Sequence, residues 1–253
     1  MLQNSLNSNQ TIRPKRRWSA LFLFPSWVFF SFLVSSLFLS LLLSVFSNYI
    51  GSLNQSIVNL AITVSVYSIT IIVVMTVPLL FKKRPVTWEL LGLTRLPTFK
   101  DIGLAIIGFV IYLILSVIVM TLVKWLIPII DLNQVQDVGF SALSSRYEYM
   151  LAFLALVVIA PIAEEVLFRG YLYGKLRQYV PIWASVIVTS LLFALVHLQW
   201  NVAIDVFVLS VILCLLREKT GSISSSIIVH MIKNAIAFYF LFVNQTFLTT
   251  LGG

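Results

Sequence analysis

Charge is what this chain has least of. Only 10% of its 253 residues are charged and 60% are apolar, whereas a soluble domain carries roughly 25% charged residues. With a mean hydropathy of +1.01, a soluble globular fold is excluded. Acidic residues are the scarcer sign, nine against seventeen Lys and Arg. The resulting net charge of +8 does not imply nucleic acid, because the cations fall in short clusters between apolar runs, as membrane orientation signals do. The single cysteine, Cys214, excludes an intrachain disulfide and reads as packing. The only two histidines, His197 and His230, lie deep in apolar stretches. There is no recognisable secretory signal: the apolar run from about Leu21 to Phe46 exceeds a signal core of roughly 7–15 residues and lacks a small-residue cleavage site. It is expected to be a retained span.

What is present is a series of runs long enough to cross a bilayer, for which roughly 17–25 apolar residues suffice. They lie near residues 20–46, 57–80, 102–127, 149–172, 182–199, 202–216 and 223–243. The expected fold is therefore all-α, a polytopic membrane helix bundle of about seven transmembrane helices with a polar intramembrane cavity. Residues 1–140 hold the basic N-terminal segment and three helices; residues 141–253 form the core that carries the chemistry. The basic clusters at Arg13 to Arg17, Lys82 to Lys100, Lys175 with Arg177, and Arg217 with Lys219 fall on one side of a seven-span chain, and the opposite loops are neutral or acidic around Asp131 and Asp137. The positive-inside rule then puts the N-terminus in the cytoplasm and the C-terminus outside, in an integral protein of the cell (plasma) membrane. The stretch from Pro128 to Glu148 is expected as an outer loop with a short interfacial helix, and 82–100 as an interfacial connector. Aromatic and hydroxyl residues of the first three spans read as packing.

Ionisable groups inside a bilayer are rare unless they serve a cavity, and the second half holds several. Glu165 stands four residues before Arg169, the favoured order for an intrahelical ion pair. Glu164 points about 100° away, leaving it free to exchange a proton as a general base must. A solvated helix end explains this segment equally well. Phe193 shares a helical face with His197 and reads as a core residue, and His230 shares a face with Asn234. Each segment alone is compatible with interhelical packing; one polar cavity explains all three at once. His197 lies about 24 Å along its span while Glu164 is nearer the other end, which a turn sunk in a hydrated cavity at Gln199 to Asn201 would reconcile. Asp205 and Lys233 are expected to pair or to line the same cavity.

Glu164-Glu165-Val-Leu-Phe-Arg169, Phe193-Ala-Leu-Val-His197 and His230-Met-Ile-Lys-Asn234 resemble the three ordered motifs of the CAAX protease and bacteriocin-processing (Abi) family of intramembrane proteases, over about residues 149–240. The resemblance implies an all-helical membrane fold and an endopeptidase acting on a membrane-associated peptide or protein within the lipid bilayer. It implies Glu164 as the catalytic glutamate, His197 as a water-positioning or metal-binding group, and His230 with Asn234 as the pair that completes the site; Glu165, Arg169 and Phe193 support it. Members include zinc-dependent and glutamate-dependent enzymes. His197, His230 and Glu164 would be just enough for a hydrolytic zinc, but Glu164 would then be ligand rather than base, which favours metal-free water activation. A transporter or proton relay, or a catalytically idle immunity protein, are the competing classes. The transporter class predicts paired, interrupted halves, and no such internal symmetry is apparent.

Overall fold

The computed structural model describes residues 17–82, 85–129, 138–140 and 143–244. Among them all regular structure is helical, as a bilayer demands of a chain that must satisfy every backbone group internally. Seven principal helices follow one another: α1 Ala20–Val45, α2 Gln55–Lys82, α3 Phe99–Leu126, α4 Arg146–Arg177, α5 Ile182–Leu195, α6 Trp200–Thr220 and α7 Ser224–Val243. Six are long and apolar enough to cross a membrane; α5, with 14 residues, is not. At 1.5 Å per residue it extends about 21 Å, short of the roughly 30 Å hydrocarbon core. The fifth expected span therefore stops inside the bundle, and α6 starts at Trp200 and runs to Thr220, further than the run 202–216 suggests. The chain still returns to the basic end after α6.

Burial ranks the helices. In their most apolar stretches α4 and α6 bury half or more of the residues, α1 to α3 less than a fifth. The first three helices present apolar surface outward, and α4 is the central element, packed by α1, α2, α5 and α7.

Capping fixes where the helices begin. Thr98 and Asp101 form a reciprocal capping box at the start of α3, and Ser145 with Glu148 does the same for α4. Asp101 also accepts from Arg95, and its backbone carbonyl accepts from Ser225 Oγ at 3.0 Å, tying the starts of α3 and α7. Arg177 pairs with Glu218 at 2.8 Å, and Arg217 donates to the carbonyl of Leu90 at 3.1 Å. The described members of the basic clusters thus meet at one end of the bundle, while Glu148 and Asn54 meet at the other at 2.9 Å. Arg13, Lys15, Arg16, Lys83 and Arg84 lie outside the described residues, as do Asp131, Asp137 and much of the stretch from Pro128 to Glu148 in which the short interfacial helix is expected. The connector to α3 contains one helical turn, Trp88–Leu91, pressed onto α4.

That contact depends on glycine. A Cβ at Gly174 would stand 2.6 Å from the carbonyl oxygen of Leu90, and one at Gly170 3.2 Å from that of Leu91. Gly174→Val is expected to lower stability by about 1–3 kcal/mol through overpacking, read as the unfolding midpoint in detergent. Gly103→Ala, where nothing lies within 4 Å, should change it by less than about 0.5 kcal/mol. Equal midpoints for the two variants would contradict this contact.

Candidate active site

The helix that carries the paired glutamates is not regular. Two wide π segments, Leu154–Ile159 and Val166–Leu172, flank a short α segment, Ala160–Glu165. Pro161 cannot donate to the carbonyl one turn back, and its ring crowds that carbonyl; the widened turns ahead of it accommodate both defects. Such π turns commonly mark functional sites. The neighbouring carboxylates diverge from here. Glu165 is fully buried, whereas the Glu164 side chain keeps 13% of its surface accessible.

Glu165 Oε1 accepts from Arg169 Nη1 at 2.8 Å and faces His230 Nδ1 at 2.9 Å. The expected pair with Arg169 is present, and the carboxylate additionally holds a histidine from α7. Arg169 lies over the ring of Phe193, 4.3 Å from its centroid, and that ring also stands edge-on to Phe168, His197 and His230. Phe193 is thus more than core filling: its face contacts the guanidinium and its backbone carbonyl receives His197 Nδ1 at 2.7 Å. A carbonyl only accepts, so Nδ1 of His197 carries the proton and, in the neutral ring, Nε2 keeps its lone pair.

Glu164 faces two neighbours. His230 Nε2 stands 3.5 Å from Oε2, and Tyr67 of α2 donates its hydroxyl to Oε1. Glu164, His197, His230 and Asn234 all line one cavity of about 440 Å³, with apolar walls from α1, α2 and α7. This lies within the roughly 300–1,000 Å³ of ordinary ligand sites. His197 reaches it because α5 ends early, followed by a turn in which Leu198 takes a left-handed φ of 57°. Asn234 spends one amide N–H on the carbonyl of Leu156 at 2.9 Å, and its second N–H and Oδ1 remain for the cavity. Lys233 lines the cavity as well and pairs with Asp205 at 3.7 Å; Asp205 accepts from Tyr112 at 2.8 Å and Ser116 at 2.6 Å.

Tyr67 corrects the reading of the first spans as packing alone. A tyrosine in an apolar helix carries no sequence sign that its hydroxyl meets a carboxylate 97 positions away. A zinc site needs three protein donors aimed at one point. Among the described residues no group of three His, Cys, Asp or Glu side chains is gathered closely enough to hold a metal ion; the Nδ1 atoms of His197 and His230 are taken up by the Phe193 carbonyl and the Glu165 carboxylate.

Removing one partner of a buried ion pair typically costs about 3–5 kcal/mol, because the other charge is left unpaired. Arg169→Met is expected to lose stability of that order in a denaturant titration, and Glu165→Gln introduced into the same variant should recover part of it. Wild-type stability in the single variant would contradict the buried pair.

Residues 146–236 match the family model described as type II CAAX prenyl endopeptidase Rce1-like. The UPF0177 protein YbdI of Lactococcus lactis subsp. lactis is 32% identical over 131 residues, 51% of this chain and 68% of that protein. The UPF0177 protein YxdF of the same organism is 30% identical over 100 residues, 39% of this chain, and a 24.3 kDa protein of Escherichia coli is 26% identical over 98 residues, 37% of this chain. The matched region spans about half the length of these last two, 54% and 45%. No solved structure matches the chain. The matched region contains Glu164, His197, His230 and Asn234, and the chain belongs to the CAAX protease and bacteriocin-processing family of membrane proteins, through its Rce1-like region.

Proposed function

We propose that the protein is an intramembrane endopeptidase in which Glu164 activates water against a peptide bond of a membrane-associated peptide or protein. The observation that carries this reading is the convergence of Glu164, His197, His230 and Asn234 on one apolar-walled cavity. Water bound between Glu164 and Nε2 of His197 gives a proton to the Glu164 carboxylate as its oxygen attacks the scissile carbonyl carbon. The oxyanion is met by the remaining N–H of Asn234 and, in the doubly protonated imidazolium form, by the Nε2–H of His230, which lies on the same side as Glu164. Collapse of the tetrahedral intermediate breaks the C–N bond, and Glu164 returns the proton to the leaving nitrogen. One water is consumed, and the products are a carboxylic acid and an amine. Preorganised donors of this kind are worth about 100–1,000-fold in rate each.

Glu165 and Arg169 act at one remove, by fixing His230 and Phe193. Tyr67 positions Glu164 through its hydroxyl. The basic end of the bundle, facing the cytoplasm of a plasma membrane by the positive-inside rule, gives the N-terminus a cytoplasmic orientation.

Membrane proteomes of cells expressing the wild-type protein or Glu164→Ala at matched abundance test the reading. Peptides with new termini in or near transmembrane segments should be present in the first and absent from the second. Identical termini in both, with the variant folded, would overturn it. With a substrate so identified, Tyr67→Phe is expected to lower kcat roughly tenfold or more while the unfolding midpoint stays close to that of the wild type; an unchanged kcat would remove Tyr67 from the positioning role.

A further inference from the structure

A second and larger cavity, about 640 Å³, lies at the basic end of the bundle between α1, α2 and the end of α4. It shares no described lining residue with the Glu164 cavity. Its lining is graded along the bundle axis. Arg17, Lys175 and Tyr179 stand at the basic end, where α1 begins and α4 ends, and Leu23, Trp27 and Val77 line the cavity further along α1 and α2, with Leu23 exposed on the outer surface. Trp27 is ten residues beyond Arg17, a rise of about 15 Å in a helix. No aspartate or glutamate is among its described lining residues.

The basic end is held in place. The Arg17 amide donates to the carbonyl of Tyr179 at 3.2 Å, Phe24 stacks on the Tyr179 ring with centroids 5.6 Å apart, and Lys175 Nζ stands 5.9 Å from the Tyr171 ring centroid. Trp18 and Trp183, ring centroids 6.3 Å apart and both exposed, lie beside α1 and α5 where these helices begin. Indole rings prefer the headgroup level of a bilayer, so the two cations stand where phosphates are found and the apolar trough extends to acyl-chain depth.

We propose that this cavity is a binding site for an anionic phospholipid, its phosphate held by Arg17 and Lys175 and one acyl chain lying along Leu23, Trp27 and Val77. Basic pockets between transmembrane helices are recognised sites for anionic headgroups. A free phosphate would use the basic end and leave the trough without an apolar partner; a zwitterionic lipid would fill the trough and bring its own cation to the basic end. An occupant of this kind bridges α1 to α4, the helix that carries Glu164 and Glu165.

The test is a native mass spectrometry titration of the full-length protein in detergent with phosphatidylglycerol, phosphatidylcholine and inorganic phosphate. Wild type should bind phosphatidylglycerol at least tenfold more tightly than phosphatidylcholine. Arg17→Gln and Lys175→Gln should each weaken phosphatidylglycerol binding roughly fivefold, and Lys219→Gln, an exposed cation at the same end but outside the cavity, should leave it unchanged. Leu23→Trp, which fills the trough with both cations intact, should also weaken it. Equal affinity for the two lipids, full affinity in the double cation variant, an equal loss with Lys219→Gln, or displacement of the lipid by equimolar phosphate would each overturn the proposal.

Discussion

Glu165 holds the second half of the bundle together through one oxygen atom. Its Oε1 meets the guanidinium of Arg169 from its own helix and the imidazole of His230 from α7. In a medium without water to solvate it, such a carboxylate is tolerated only while its partners remain. Their positions are therefore specified tightly. Arg169 in turn lies over Phe193 of α5, and Phe193 meets both histidines. One buried charge thus sets the relative placement of α4, α5 and α7, and Glu164, one residue away and turned toward the cavity, inherits that placement without bearing the load.

The irregularities of the backbone serve the same geometry. Pro161 and the π segments around Ala160–Glu165 give α4 a local register that a regular helix would not have. The 14-residue α5 ends within the bundle and delivers His197 to the level of Glu164. A full-length span there would carry His197 past the cavity. The first three helices contribute apolar walls and, through Tyr67, a hydroxyl on Glu164.

Much of this was legible in the sequence, for identifiable reasons. Apolar runs of sufficient length report membrane helices directly, and the spacing of Glu165 to Arg169 reports an ion pair because both sit on one helix. The length of α5 was legible only in part: the depth of His197 called for a sunken turn, expected at Gln199 to Asn201, whereas α5 ends at Leu195 and the turn passes through Leu198, a few residues earlier. The attachment of His230 to Glu165 was not legible: periodicity pairs His230 with Asn234, four residues on, and carries no information about which helix lies opposite. Asp205 and Lys233 stood out as charges in apolar runs, and the pair they form is consistent with that, but its supporting hydroxyls, Tyr112 and Ser116, come from α3 and have no local sign. Interhelical contacts of single polar groups are where a sequence without its fold says least.

The division of labour between the two adjacent carboxylates is tested most directly by measuring unfolding stability and cleavage side by side in Glu164→Gln and Glu165→Gln. Glu164→Gln is expected to keep wild-type stability or better and to cleave nothing, whereas Glu165→Gln is expected to be markedly less stable and to retain part of its activity. A stable, fully active Glu165→Gln, or a Glu164→Gln protein that still cleaves, would contradict that division.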